Sequence, residues 1–184
     1  MNSLLLSTLG KVLLPAAAVG LILFASRRRG ISWSKDLGFR MPGARMLAVW
    51  LAYWISWICV SELLIRYFHL EQARAWPHYP ALIMVLRICA IGLVGPLAEE
   101  LALRGMFFHL LRRTAIGPLG AIALLALAWS AMHYQYQAGT LVLVFVDGVI
   151  LGLARYMGGS LWLPVIMHAV GNLTSIGQSI VAGS

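Results

Sequence analysis

The sequence predicts an all-α protein, a polytopic membrane helix bundle, and three observations lead there. Hydrophobic residues make up 61% of the 184 positions and charged residues only 11%, with a mean hydropathy of +0.85; a soluble domain has about 45–50% apolar and about 25% charged residues. Apolar runs of helix length recur about six times along the chain, each close to the ~20 residues that cross a ~30 Å hydrocarbon layer. Lysine and arginine gather on alternate connections, so that positive charge stays on one side, as expected of cytoplasmic loops. The net charge of +8 does not point to nucleic acid, because apolar spans separate the cations and no basic patch interleaved with aromatics occurs. The length fits one domain.

The first span is residues 3–25. Lys11 and Pro15 interrupt it, which membrane helices tolerate. Its charges, Arg27-Arg28-Arg29, follow the apolar run, so it reads as a retained helix and not as a signal peptide. Residues 26–45 carry Arg27, Arg28, Arg29, Lys35, Arg40 and Arg45 against Asp36. This loop is placed in the cytoplasm, and its charge also suits anionic lipid head groups. Residues 1–45 are thus a helix with a basic loop, and residues 46–184 the bundle proper.

The second span, 46–70, holds Trp50, Tyr53, Trp54 and Trp57, with Glu62 and Arg66 spaced as a helical ion pair near its outer end. A short outer loop, 71–80, follows, and residues 81–111 return inward. At 1.5 Å per residue those 31 residues extend ~46 Å, too long for one straight perpendicular helix. A kink or break near Pro96 is therefore expected, with a second helix starting near Leu97 and presenting Glu99 and Glu100 in its first turn, where the helix dipole favours carboxylates. Arg87, in mid-span, needs a partner, and Asp147 is one candidate. His109 lies near the basic end and reads as interfacial.

The remaining spans are 119–138, 140–157 and 160–181. The second of these contains Gly148-x-x-x-Gly152, a close-packing pattern. Cys59 and Cys89 fall inside apolar runs and read as small packing residues, neither a disulfide nor ligands.

The chemistry centres on Glu99 and Glu100, two of only six acidic residues, flanked by apolar sequence. A carboxylate there is costly unless paired. On a helix Glu100 and Arg104 share a face, whereas Glu99 is rotated by ~100°, so the two acids can hold different jobs. His133 lies on another span. His168 and Asn172, four apart, share one face of the last. Polar groups on three apolar spans satisfy one another by converging, and a convergent Glu, two His and Asn make a reactive centre. A carboxylate activates water as general base, and His and Asn donors stabilise an oxyanion, which suits amide hydrolysis. Glu99, His133 and His168 are also a legitimate set for a divalent metal such as zinc, although no His-Glu-x-x-His helix occurs.

Glu99-Glu100-x-x-x-Arg104, then Trp129-x-x-x-His133, then His168-x-x-x-Asn172 resembles the CPBP family. These are the CAAX-processing and bacteriocin-immunity (Abi) intramembrane proteases, and the similarity covers about residues 80–175. The resemblance implies an intramembrane endopeptidase, of glutamate type in preference to metallo type and with no required cofactor. Its substrate would be a membrane-associated, lipidated or C-terminally sorted peptide or protein, in a bacterial cell membrane and without nucleic acid. Glu99 would activate water with His133 assisting, Glu100 and Arg104 would support, and His168 and Asn172 would serve the oxyanion. The family's second motif usually begins with Phe, and here Trp129 stands in that place. Two other readings remain open: a non-catalytic immunity or scaffold protein that keeps the fold, and a small proton-coupled carrier, which predicts an inverted repeat not found here.

Overall fold

The computed structural model describes residues 2–70, 76 and 78–181. Among the described residues the chain forms six long helices: α1 (Asn2–Arg28), α2 (Ala44–Tyr67), α3 (Ala81–Leu111), α4 (Gly117–Met132), α5 (Ala138–Gly158) and α6 (Trp162–Val181). Four of them, α1, α2, α3 and α5, are long and apolar enough to cross a membrane. The two other expected spans differ for separate reasons. Helix α4 has only 16 residues, about 24 Å of rise. Helix α6 has 20 residues, but His168, Asn172, Thr174, Ser175, Gln178 and Ser179 dilute its apolar character. Of the expected outer loop, residues 71–75 and 77 lie outside the described residues.

The break expected at Pro96 takes another form. Helix α3 runs on through the proline, with π-helical stretches at Ala90–Val94 and Leu101–Phe107, so Glu99 and Glu100 lie inside a continuous helical run and not in a first turn. The first π stretch sits just before Pro96, and the Gly95 N–H donates to the Ala90 carbonyl. In that register the next donor, to Ile91, would be the nitrogen of Pro96, which carries no hydrogen. The Ile91 carbonyl is released and accepts the Asn172 amide at 2.8 Å. The second stretch repeats the device. Phe108 N–H turns to Leu103 and Gly105, and the Arg104 carbonyl accepts from Arg155 Nε at 3.1 Å. Each π stretch gives up one backbone acceptor to a side chain of another helix, a common use of such bulges near functional sites.

The main core joins five helices around Trp54, Phe108, Leu125, Trp129, Leu151 and Met167, and a second, smaller core sets Leu37, Leu101, Leu161 and Val165 against α1. Helices α4 and α5 approach closely, because Gly148 and Gly152 leave no side chain between them. A Cβ at Gly148 would stand 2.9 Å from the Ala126 Cα, and one at Gly152 would stand 2.8 Å from Ile122. Gly148→Ala is accordingly expected to destabilise by about 1–3 kcal/mol through overpacking. Gly177→Ala, which meets nothing within 4 Å, should stay within about 0.5 kcal/mol; thermal unfolding in detergent checks the pair.

The basic loop closes one end of the bundle. Arg113 reaches Asp36 at 3.0 Å, Arg155 Nη2 donates to the Asp36 carbonyl at 3.3 Å, and Arg40 Nε donates to the Gly159 carbonyl at 3.1 Å. Gly159 ends α5 at φ 61°, the left-handed cap that favours glycine. The Ser32 amide hydrogen, helped by the positive surroundings of His109 and Arg113, holds the Asp36 carboxyl below its usual pKa. His109, read as interfacial, is buried here, 3.5 Å from Asp36. At the far end Glu62 pairs with Arg66 at 2.9 Å, as the spacing predicts. The two cysteines are exposed and free, not packed inside.

Candidate active site

Glu100 is fully buried and Arg104 nearly so, at 0% and 2% exposure. They pair at 2.9 Å on one face of α3. The same Glu100 oxygen lies 2.9 Å from His168 Nδ1, on α6. An ionised carboxylate only accepts, so with Glu100 ionised against Arg104 the hydrogen sits on Nδ1, and Nε2 is the ring's free nitrogen. The spacing predicts the ion pair but not its tie to His168. Arg104 is held further by the Gly148 carbonyl, 3.0 Å from Nη2, and lies 5.0 Å from the centre of the Trp129 ring. This buried chain joins α3, α5 and α6.

Glu99 and His133 are half-buried. Glu99 accepts the indole hydrogen of Trp129 at 2.8 Å. His133 Nδ1 lies 2.9 Å from the Trp129 carbonyl, which can only accept, so its Nε2 too is left free. Edge-on contacts place Trp129 5.3 Å from the His133 ring and 5.2 Å from the His168 ring, centre to centre. Trp129 therefore touches Glu99, Arg104 and both histidines. From sequence alone it reads as a packing aromatic. The cue available is the indole N–H, a donor that a buried Trp must place and that the usual Phe lacks.

Asn172 shares the His168 face of α6, as its spacing predicts, and spends one amide hydrogen on Ile91; the other remains for a ligand. Asp147 does not pair with Arg87. It accepts from Trp57 Nε1 at 2.5 Å, while Arg87 turns to Thr8, 3.4 Å away, and to the rings of Tyr79 and Trp76. Arg87 lies too far toward the outer end of α3 to meet the middle of α5. Among the described residues no three His, Cys, Asp or Glu side chains are grouped to hold a metal ion. Glu99 accepts the indole hydrogen through one oxygen, and each histidine uses Nδ1 toward its own α3 or α4 acceptor.

An Escherichia coli protein described as "Uncharacterized 24.3 kDa protein" is 34% identical over 87 residues, which is 46% of this chain and 40% of that protein. No solved structure matches. The family model "Type II CAAX prenyl endopeptidase Rce1-like" matches residues 80–174, just over half of the chain, and includes the motif residues of all three helices. With four helices long and apolar enough to cross a bilayer, the chain is an integral membrane protein. The resemblance carried by Glu99, Glu100, Arg104, His133, His168 and Asn172 thus holds at the level of the whole segment, and the chain belongs to the Rce1-like type II CAAX prenyl endopeptidase family.

Proposed function

We propose that this protein is an intramembrane endopeptidase of glutamate type, which hydrolyses a peptide bond near the C-terminus of a membrane-associated or lipidated substrate in a bacterial cell membrane. The observation that carries the reading is the convergence on Trp129 of Glu99, His133 and His168 from three helices. Folding alone does not call for these groups to meet beside a buried ion pair.

In this reading Glu99 takes a proton from water, and the resulting hydroxide adds to the scissile carbonyl carbon. His133, its Nδ1 fixed by the Trp129 carbonyl, offers Nε2 to orient the water and then to carry the proton from Glu99 to the departing amine. The carbonyl oxygen gains the negative charge. It is met by the free Asn172 amide hydrogen and by His168, which donates from Nε2 when doubly protonated. Collapse of the tetrahedral species breaks the C–N bond and leaves a carboxylic acid and an amine. Glu100 and Arg104 hold His168 in position and leave Glu99 as the base. No step needs a metal.

The test is the purified protein in liposomes with a quenched fluorescent peptide that ends in a prenylated CAAX sequence. Cleavage by the wild type, and a loss of about 100-fold or more in His133→Ala at unchanged thermal stability, is the expected result. An inert wild type, or an alanine variant as fast as the wild type, would hand the site to the immunity or scaffold reading.

A further inference from the structure

The two ends of the bundle differ in charge. The last turns of α1, α3 and α5 and the first turns of α2, α4 and α6 share one end, which Arg113 and Arg155 hold together through Asp36 and Arg40 through Gly159. That end carries six Lys and Arg in residues 26–45, then Arg112, Arg113 and Arg155. At the other end Gln178 of α6 meets Glu62 of α2 at 3.2 Å, and a Cβ on Gly139 of α5 would meet Leu70 at 2.6 Å. The sequence puts Arg66 and Arg74 there, with Arg87 in the second turn of α3. Lys and Arg collect on the cytoplasmic side of a membrane protein. The arginine-rich end therefore faces the cytoplasm, and the end with Glu62 faces out.

The candidate site lies between an end that is sealed and one that is not. On its cytoplasmic side α3 is buried at 100, 101 and 103–106, α5 at 150–152, 154 and 155, and α6 at 163–165 and 167. Leu37, Leu101 and Leu161 close that end, each at most 1% exposed. On the outer side the packing opens. No residue of 138–147 on α5 or of 169–175 on α6 is buried. Helix α4 stops at this level with His133 as its C-cap, and Tyr136 from the α4–α5 connection stacks on the imidazole at 5.6 Å. The 16 residues of α4 rise ~24 Å from the cytoplasmic face across ~30 Å of hydrocarbon, so His133 lies close beneath the outer surface. Glu99, His133 and Asn172 are each partly exposed. Hydrocarbon satisfies none of these groups; water does, and the open side is where it reaches them.

We propose that the site opens to the extracytoplasmic face of the membrane, and that its substrate is an exported polypeptide held by a lipid or an apolar anchor and cut at the outer end of that anchor. This inference rests on the proteolytic reading and narrows its substrate. The scissile bond reaches Glu99 and His133 from the side of the α4–α5 connection, where Tyr136 is its first contact. A lipidated tail that stays in the cytoplasm meets the sealed end, where Asp36, Arg113, Arg155 and the leucine cluster leave no way in.

The test uses right-side-out and inverted membrane vesicles from a bacterial host that expresses the full chain. The probe is the quenched prenylated peptide with a sulfonated fluorophore, whose charge keeps it on the side of addition. Right-side-out vesicles should cleave it at least about tenfold faster than inverted ones, because a charged group crosses hydrocarbon at high cost. Detergent should bring the two to the same rate, and Glu99→Gln vesicles give the background. Inverted vesicles that are as fast or faster before detergent overturn the inference and leave the proteolytic reading standing. If neither preparation exceeds the Glu99→Gln background even in detergent, the proteolytic reading falls, and the exported substrate falls with it. A labelling measurement reads the orientation without activity. In a chain with Cys59→Ala and Cys89→Ala, Tyr134→Cys replaces a side chain 81% exposed beside His133. A membrane-impermeant maleimide should label it in right-side-out vesicles, and should label Lys35→Cys in inverted ones. The reverse pattern overturns the inference.

Discussion

Glu99→Gln should abolish hydrolysis while leaving the helix bundle intact. The amide oxygen of glutamine can still accept the Trp129 indole hydrogen that Glu99 accepts at 2.8 Å, and the half-buried position loses no packing volume. What disappears is a base able to take a proton from water. A positioned general base contributes about 10²–10⁴-fold, so kcat for the prenylated peptide should fall by about 10³-fold. Thermal unfolding should stay within about 1 kcal/mol of the wild type, as for a neutral isostere whose hydrogen bond survives. The rate is read in liposomes and the stability in detergent on the same preparation. A fully active Glu99→Gln protein would remove the central assignment, because among the described residues Glu99 is the carboxylate that accepts the Trp129 indole hydrogen.

Glu100→Ala should act on the fold first. It strands Arg104, only 2% exposed, and removes the partner of His168 Nδ1. Breaking one side of a buried ion pair costs about 3–5 kcal/mol, which compares with the whole stability of many domains. Arg104→Ala leaves Glu100 buried in the same way and should cost a similar amount. The double variant Glu100→Gln with Arg104→Leu should cost less than either alanine variant alone, because no charge is then left unpaired. Reversible unfolding in detergent of the three variants measures this. A cost below about 1 kcal/mol for Glu100→Ala would mean that water reaches the pair, and its support of His168 would then be lost as an argument. The two glutamates thus separate by experiment: loss at Glu99 is expected in rate at constant stability, and loss at Glu100 in both.

The hydrogen bonds of the site, and with them the roles proposed, depend on features of very different visibility. The helices were legible because apolar runs and intervening arginines follow directly from the bilayer as solvent. The Glu100–Arg104 and Glu62–Arg66 pairs were legible because a four-residue spacing fixes the neighbours on a helix face. The close α4–α5 contact was legible in Gly148 and Gly152 for the same reason. The π stretches left no such mark. A bulge is a one-residue change of hydrogen-bond register, and Gly95-Pro96 reads equally well as a break. The pairing of Arg87 with Asp147 went wrong because charge matching along the sequence ignores depth: Asp147 is answered by a neutral indole of α2, and Arg87 by a hydroxyl and two rings.

The sequence by itself determined that this chain is a membrane helix bundle, which end of each helix bears the positive charge, and which few polar residues the apolar helices have to reconcile. Each of these follows from local rules: the helical period, the cost of charge in hydrocarbon, and the distribution of arginine. Only the tertiary structure decided how polar groups of different helices are paired. Trp129 becomes the hub through its indole N–H, Glu100 turns to His168, Asn172 meets the carbonyl that Pro96 sets free, and α2 reaches Asp147. Those partners come from helices far apart in the chain, and their contacts depend on packing distances and backbone register that no short stretch of sequence encodes.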